Sequence, residues 1–88
     1  ITLLKSYNMK DLPKWFTNNG GAQYKTGGEV TNPFTGSSAV LNANELSMYD
    51  FIMGCQMISM DRDIQKDFRK ALDWIRQSNP GAYMALLD

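Results

Sequence analysis

The chain has 88 residues, nine of them Lys or Arg and nine Asp or Glu, with no histidine and one cysteine. This length fits one small domain, and the apolar fraction of 43% is enough for a core and argues against disorder. The formal net charge of zero gives no reason to expect strong nonspecific binding to nucleic acid, and no run approaches the roughly 18 apolar residues of a membrane span.

The N-terminal part, residues 1–21, predicts a lead-in followed by a short helix. The first residues, Ile1–Leu4, are compatible with either a strand or a flexible lead-in. Asp11 can cap a helix in which Trp15 and Phe16 lie on one apolar face. An Asn- and Gly-rich run then ends this helix, because both residues tolerate the left-handed stop conformation.

Residues 22–41 predict a β-hairpin. Asn32–Gly36 contains Asn, Pro and Gly, the residues typical of turns, with β-branched residues on both sides. Because a two-stranded hairpin is only marginally stable alone, we expect it to pack on the helices. The side chains expected to make that contact are Tyr24, Val30, Phe34 and Val40.

Residues 42–88 predict a helical module whose first helix is apolar on nearly every side. Asn42 and Glu45 have the spacing of a capping box at its start. In so small a chain, a helix of this kind predicts more apolar surface than one protomer can cover, and therefore self-association. Its Met residues suit an adaptable interface, but ordinary core filling is the favoured interpretation of them. The interface candidates are Met48, Phe51, Met57 and Trp74.

A second helix, capped by Asp61 or Ser59, is amphipathic, with an apolar stripe and a charged face. Asn79-Pro80 breaks it and starts a terminal helix. We therefore predict a mainly α (α+β) single domain over residues 1–88, with three to four helices and a small hairpin. The expected core comprises Trp15, Phe16, Leu46, Tyr49, Ile52, Met53, Ile64, Phe68, Leu72, Ile75 and Tyr83.

Groups with catalytic or metal-binding chemistry are sparse in this sequence. Without histidine, the commonest general base and metal ligand is missing. Cys55 is best interpreted as a buried structural thiol, and the absence of a second cysteine favours a reducing compartment. Asp61-x-Asp63 begins like a calcium loop but lacks its turn Gly and distal Glu. We expect no cofactor, no metal and no small-molecule ligand.

Three functions remain open. A nonenzymatic protein-interaction module, with the chain itself as partner, fits the apolar first helix best. The alternative is a helix-turn-helix-like DNA-binding regulator, in which the second helix presents Arg62, Lys66, Arg69 and Lys70, although interspersed Asp residues argue against phosphate contact. An enzyme is the third, with Asp50 as the residue around which a polar cleft would form.

Several segments resemble small uncharacterised proteins encoded by marine tailed phages and found in ocean environmental sequence. The segments that carry the resemblance are Asn32–Gly36, Leu46–Gly54, Ala71–Ile75 and Asn79–Asp88. The resemblance implies a setting rather than a site. It points to a phage accessory protein, located in the host cytoplasm or associated with the virion.

Overall fold

The structure, a computed structural model, describes residues 9–19 and 21–88. Within them the chain confirms the mainly α (α+β) prediction, because four helices accompany one two-stranded antiparallel hairpin. The predicted lead-in at Ile1–Leu4 lies outside the described residues. The elements, in chain order, are α1 (Lys14–Asn18), β1 (Gly28–Thr31), β2 (Ser38–Leu41), α2 (Ala43–Gln56), α3 (Arg62–Ser78) and α4 (Pro80–Leu86).

The short helix α1 forms without a side-chain cap, so the prediction that Asp11 caps it is wrong. Pro13 occupies the N-cap position, and α1 therefore begins too far along the chain for the Asp11 carboxylate to reach its first N–H groups. The main-chain carbonyl of Asp11 instead accepts a hydrogen bond from the indole N–H of Trp74 at 3.1 Å. This bond ties the segment before α1 to α3.

The hairpin packs on the helices through one face only. In its register Val30 pairs with Ala39, and Glu29 pairs with Val40. Because side chains alternate across a strand, Val30, Ala39 and Leu41 face the helices, whereas Val40 is 70% exposed. The expected packing contacts of Val40 and Phe34 are therefore wrong, because both side chains are exposed. Tyr24, which is 42% exposed, does contact α2: its N–H donates to the Ser47 hydroxyl at 2.8 Å, and its phenol lies beside Asp50.

The predicted capping box at the start of α2 is confirmed. The Asn42 side chain accepts from the Glu45 N–H at 2.8 Å, and the Glu45 carboxylate accepts from the Asn42 N–H at 3.0 Å. A cap of this kind stabilises a helix by about 1 kcal/mol. It fixes where α2 begins relative to β2, which ends at the residue before the cap.

The remaining two helices also begin where side-chain caps place them. The Asp61 carboxylate accepts from the Ile64 N–H at 2.9 Å at the start of α3. The Asn79 side chain accepts from the Ala82 N–H at 3.1 Å at the start of α4, whose first residue is Pro80. Among the helices of residues 9–19 and 21–88, none has the combination of length and apolar character that a membrane crossing requires.

Two neighbouring clusters make up the core. The larger lies between α1, α2 and α3, and the smaller lies between the hairpin and α4. Of the predicted core, Phe16, Ile52 and Ile75 are fully buried, most of the others are half-buried against the clusters, and Ile64 is half-buried outside them. The buried hydrophobic residues that the predicted core left out are Leu41, Met48, Cys55, Ala71, Trp74, Ala82 and Leu86.

The protein covers α2 with its own chain, so the prediction of surplus apolar surface on this helix is wrong. Met48, Ile52 and Cys55 are at most 4% exposed, and the other apolar side chains of α2 are half-buried. The helix lies between α3 on one side and the hairpin and α4 region on the other, which leaves only Asp50, Gly54 and Gln56 exposed. Any interaction surface must therefore include other parts of the chain beside α2.

A candidate protein-binding groove

An open groove of about 150 Å³ lies where the hairpin turn, α2 and the C-terminal residues meet. Its walls come from three separate parts of the chain, so its shape depends on the tertiary fold. We call it the turn groove. It is lined by Asn32, Pro33 and Phe34 from the turn, Tyr49, Met53 and Gln56 from α2, and Leu86, Leu87 and Asp88 at the end of α4.

The turn that forms one wall is held by several hydrogen bonds. The Asn32 N–H donates to the Ser37 carbonyl at 2.7 Å, and the Gly36 N–H donates to the Asn32 carbonyl at 2.8 Å, with Gly36 at a φ of 78°. The Asn32 side chain accepts from the Phe34 N–H at 2.9 Å and donates to the Ala85 carbonyl at 3.4 Å. The turn is thus tied to α4, and it presents a Phe34 ring that is 95% exposed.

The opposite side of the groove is mostly apolar, although Tyr49 also contributes its phenol hydroxyl. Tyr49 and Met53 lie one turn apart on α2 and are half-buried against the core, and Leu86 is 8% exposed. Met57 follows Met53 by four residues, so it extends the same side of α2, and it is 86% exposed. Polar Gln56 lies at the edge. An apolar floor with polar groups at its margin is the usual composition of a binding surface.

The four interface residues predicted from the sequence differ in how exposed they are. Met48 is 0% exposed and Trp74 is 6% exposed, so both belong to the core, and the prediction that they form an interface is wrong. Phe51 is half-buried and packs edge-on against Phe16, with ring centroids 5.7 Å apart. Of the four, only Met57 is freely exposed, and it does not line the turn groove.

The residue that sequence reasoning missed at this site is Phe34. The hairpin pattern predicts that Phe34 packs against the helices, whereas the residue follows Pro33 in the middle of an exposed turn. Side chains at a turn apex face solvent, because the chain reverses away from the core there. That position was the available signal for an exposed aromatic ring.

Ionisable groups outside the turn groove show modest perturbation. The Asp50 carboxylate beside Tyr24 raises the pKa of the Tyr24 phenol above its ordinary value of 10.0, and partial desolvation adds to the effect. Burial raises the pKa of the Cys55 thiol, which therefore stays protonated and unreactive at neutral pH. Asp50 is exposed and does not line the groove, so it lies in no polar cleft.

Neither metal ligands nor a strong cationic surface accompanies the turn groove. Within the described ranges, no group of three His, Cys, Asp or Glu residues is arranged to hold a metal ion. On α3, the Lys70 ammonium lies 3.9 Å from the Asp67 carboxylate, which neutralises part of the face predicted to contact DNA. DNA binding by α3 stays a prediction that a gel-shift titration at low salt would test.

Comparisons with known proteins add no family to this description. The chain matches no protein-family model, no curated protein and no solved structure. The resemblance to proteins of marine tailed phages, and the location that it implies, therefore stay predictions.

Proposed function

We propose that this protein is a nonenzymatic interaction module that binds an apolar side chain of a protein partner in the turn groove. One observation carries the proposal. An apolar groove, walled by Tyr49, Met53 and Leu86, opens beside a phenyl ring that is 95% exposed on a hydrogen-bonded turn. Exposed aromatic rings beside desolvated pockets are typical anchors of protein interfaces.

The size of the groove suits one aromatic ring. Its volume of about 150 Å³ equals that of an engineered apolar cavity in another protein that binds benzene. Complete burial of one aromatic side chain removes roughly 150–250 Å² from water, worth ~4–6 kcal/mol at about 25 cal/mol per Å², and a ring in this open groove gains only part of that. Since association costs at least about 4 kcal/mol, we expect a single anchored ring to bind weakly and reversibly.

The nonenzymatic part of the proposal rests on where the reactive groups lie. The sequence contains no histidine, and the Cys55 thiol is buried. Tyr24 and Asp50 contact each other on a different surface and do not line the turn groove. The groove itself offers a phenol, an amide and a carboxylate at its margin, from Tyr49, Gln56 and Asp88, which suits recognition better than acid–base chemistry.

A displayed peptide library, selected for binding to the protein, tests the proposal. Peptides with an aromatic anchor should be enriched, and Met53→Glu should abolish their binding because it places a charge in the apolar groove. Met84→Glu is the matched control: Met84 is 68% exposed and does not line the groove, so binding should persist. If no enriched peptide distinguishes Met53→Glu from Met84→Glu, the groove is not the binding surface.

A further inference from the structure

We propose that Phe34 regulates access to the turn groove of its own chain. Its side chain rotates between an open position in solvent and a closed position in the groove, and in the closed position the ring competes with the partner's side chain. This inference rests on the proposed function, because it concerns the regulation of the same groove. The structure shows the open position, in which the ring is 95% exposed.

The Phe34 ring lies where it can act as such a competitor. Phe34 is one of the residues that line the groove, as is its neighbour Pro33, and Met53 and Leu86 line it from α2 and α4. The groove volume of about 150 Å³ is enough for one phenyl ring. The aromatic ring nearest to the empty groove is therefore part of the same chain, and it needs no second molecule to reach it.

The hydrogen bonds of the turn leave this side chain free to rotate. Phe34 contributes only its main-chain N–H, which donates to the Asn32 side chain at 2.9 Å. The Gly36 N–H donates to the Asn32 carbonyl at 2.8 Å, and the Thr35 hydroxyl accepts from the Ser37 N–H at 3.2 Å. Rotation about the Cα–Cβ bond of Phe34 breaks none of these bonds. Because exposed side chains change rotamer within picoseconds to nanoseconds, the open and closed positions should exchange rapidly.

The hydrophobic effect favours the closed position. In the open position almost the whole ring of Phe34 is in water. A tenfold preference for closure, about 1.4 kcal/mol, requires that roughly 60 Å² of apolar surface be buried, which is less than half of what a buried aromatic side chain covers. Lost rotamer freedom opposes closure. We therefore expect the ring to be closed in roughly two-thirds to nine-tenths of the molecules when no partner is bound.

A competitor within the chain has a defined effect on affinity. When only a fraction of the molecules has an open site, the observed affinity is reduced by that fraction. Removal of the ring by Phe34→Ala should therefore tighten the binding of an aromatic ligand by about three- to tenfold. The direction of this change is diagnostic, because loss of a ring that contacts the ligand would weaken binding instead.

An NMR titration with N-acetyl-phenylalanine amide, a single aromatic anchor, tests the inference. The methyl signals of Met53 and Leu86, which line the groove, report binding to the wild type and to Phe34→Ala. Since the Phe34 side chain is exposed, its removal leaves the fold intact, and the variant should bind the probe about three- to tenfold more tightly. Val40→Ala is the matched control: Val40 is 70% exposed on the same hairpin and does not line the groove, so its variant should bind like the wild type.

A second measurement detects the closed position in the wild type itself. Nuclear Overhauser effects between the ring protons of Phe34 and the methyl groups of Met53 and Leu86 should be present when no ligand is bound. They should disappear when the groove is saturated with the probe, because the ring is then displaced into solvent. This measurement requires no substitution, so it does not depend on how a variant folds.

Three results would overturn the inference: Phe34→Ala binding the probe no more tightly than the wild type, Phe34→Ala showing no saturable binding, or the absence of Overhauser effects in the ligand-free wild type. The proposed function is judged separately by the selected peptides. Peptides whose binding Met53→Glu abolishes but Phe34→Ala leaves unchanged would refute the regulation by Phe34 and keep the function. Overhauser effects from a closed ring, with no peptide that distinguishes Met53→Glu, would refute the function and leave Phe34 as the cover of its own groove.

Discussion

Glu45 is a buried carboxylate on which three parts of the fold converge, and its removal should be the most damaging polar substitution in the protein. It is 5% exposed. Its oxygens accept from the Asn42 N–H at 3.0 Å, the Ser78 hydroxyl at 2.6 Å and the Asn79 amide at 3.3 Å. The carboxylate thereby joins the start of α2 to the junction between α3 and α4.

The expected cost follows from these three donors. Glu45→Ala removes every acceptor, and each buried donor left without a partner costs about 1–3 kcal/mol. Part of this cost is recovered, because the Ser78 hydroxyl can rotate to another acceptor and water can reach the half-buried Asn42 and Asn79. We therefore expect the free energy of unfolding to fall by roughly 2–4 kcal/mol. Glu45→Gln keeps one acceptor oxygen and the side-chain volume, and should cost only about 1 kcal/mol.

Urea unfolding followed by circular dichroism measures both changes. The slope of the free energy of unfolding against urea concentration should be the same for the wild type and each variant, so that a change in midpoint reports a change in stability. Glu29→Ala is the control: Glu29 is exposed on the outer face of β1 and should change stability by no more than about 0.5 kcal/mol. Equal losses for Glu45→Ala and Glu45→Gln, or no loss for either, would refute the shared-acceptor role.

Three further predictions concern Gly27 with Gly28 as its control, Gly54, and the pKa of Tyr24. A Cβ on Gly27 would lie 2.0 Å from a main-chain oxygen of β2, whereas one on Gly28 meets nothing within 4 Å, so Gly27→Ala should lower the urea midpoint sharply and Gly28→Ala should not. Gly54 lies exposed within α2 with open space around its Cβ position, so Gly54→Ala should raise the free energy of unfolding by about 0.5–1 kcal/mol; an unchanged midpoint would contradict this. Asp50→Asn should lower the pKa of the Tyr24 phenol toward 10.0, as followed by its NMR resonance. Because that pKa is raised in the folded state, its contribution to stability is present below pH 10.0 and is lost as the pH rises through the folded-state pKa, and Asp50→Asn should flatten this loss.

The elements of the fold were predictable wherever the signal is local. Asn42, Asp61 and Asn79 each cap a helix through a side-chain bond to an N–H three residues later, and such spacing is readable in the sequence. The prediction that Asp11 caps α1 used the same kind of local spacing and was wrong, because Pro13 occupies the N-cap position. The Asp11 main-chain carbonyl instead accepts a hydrogen bond from Trp74 of α3. Long-range hydrogen bonds of this kind cannot be predicted from the spacing of residues along the chain.

The burial of α2 and the position of the turn groove could not be read from the sequence. An all-round apolar helix indicates burial on several sides, but the sequence does not say whether its own chain or a second copy supplies the cover. Here α1 and α3 cover Met48, and the groove arises only where the turn, α2 and α4 meet. Exposure of Phe34 was predictable from its turn, and the cavity beside it was not.

The methyl NMR signal of Met53 tests the central claim most directly, since Met53 lines the groove that would receive an aromatic side chain of a partner. When a selected peptide with an aromatic anchor is added, this methyl resonance should shift under the ring current of the docked ring. The methyl resonance of Met84, which is exposed and does not line the groove, should stay fixed throughout. A Met53 resonance that does not move when the peptide is added, or a Met84 resonance that moves as much, would contradict the account.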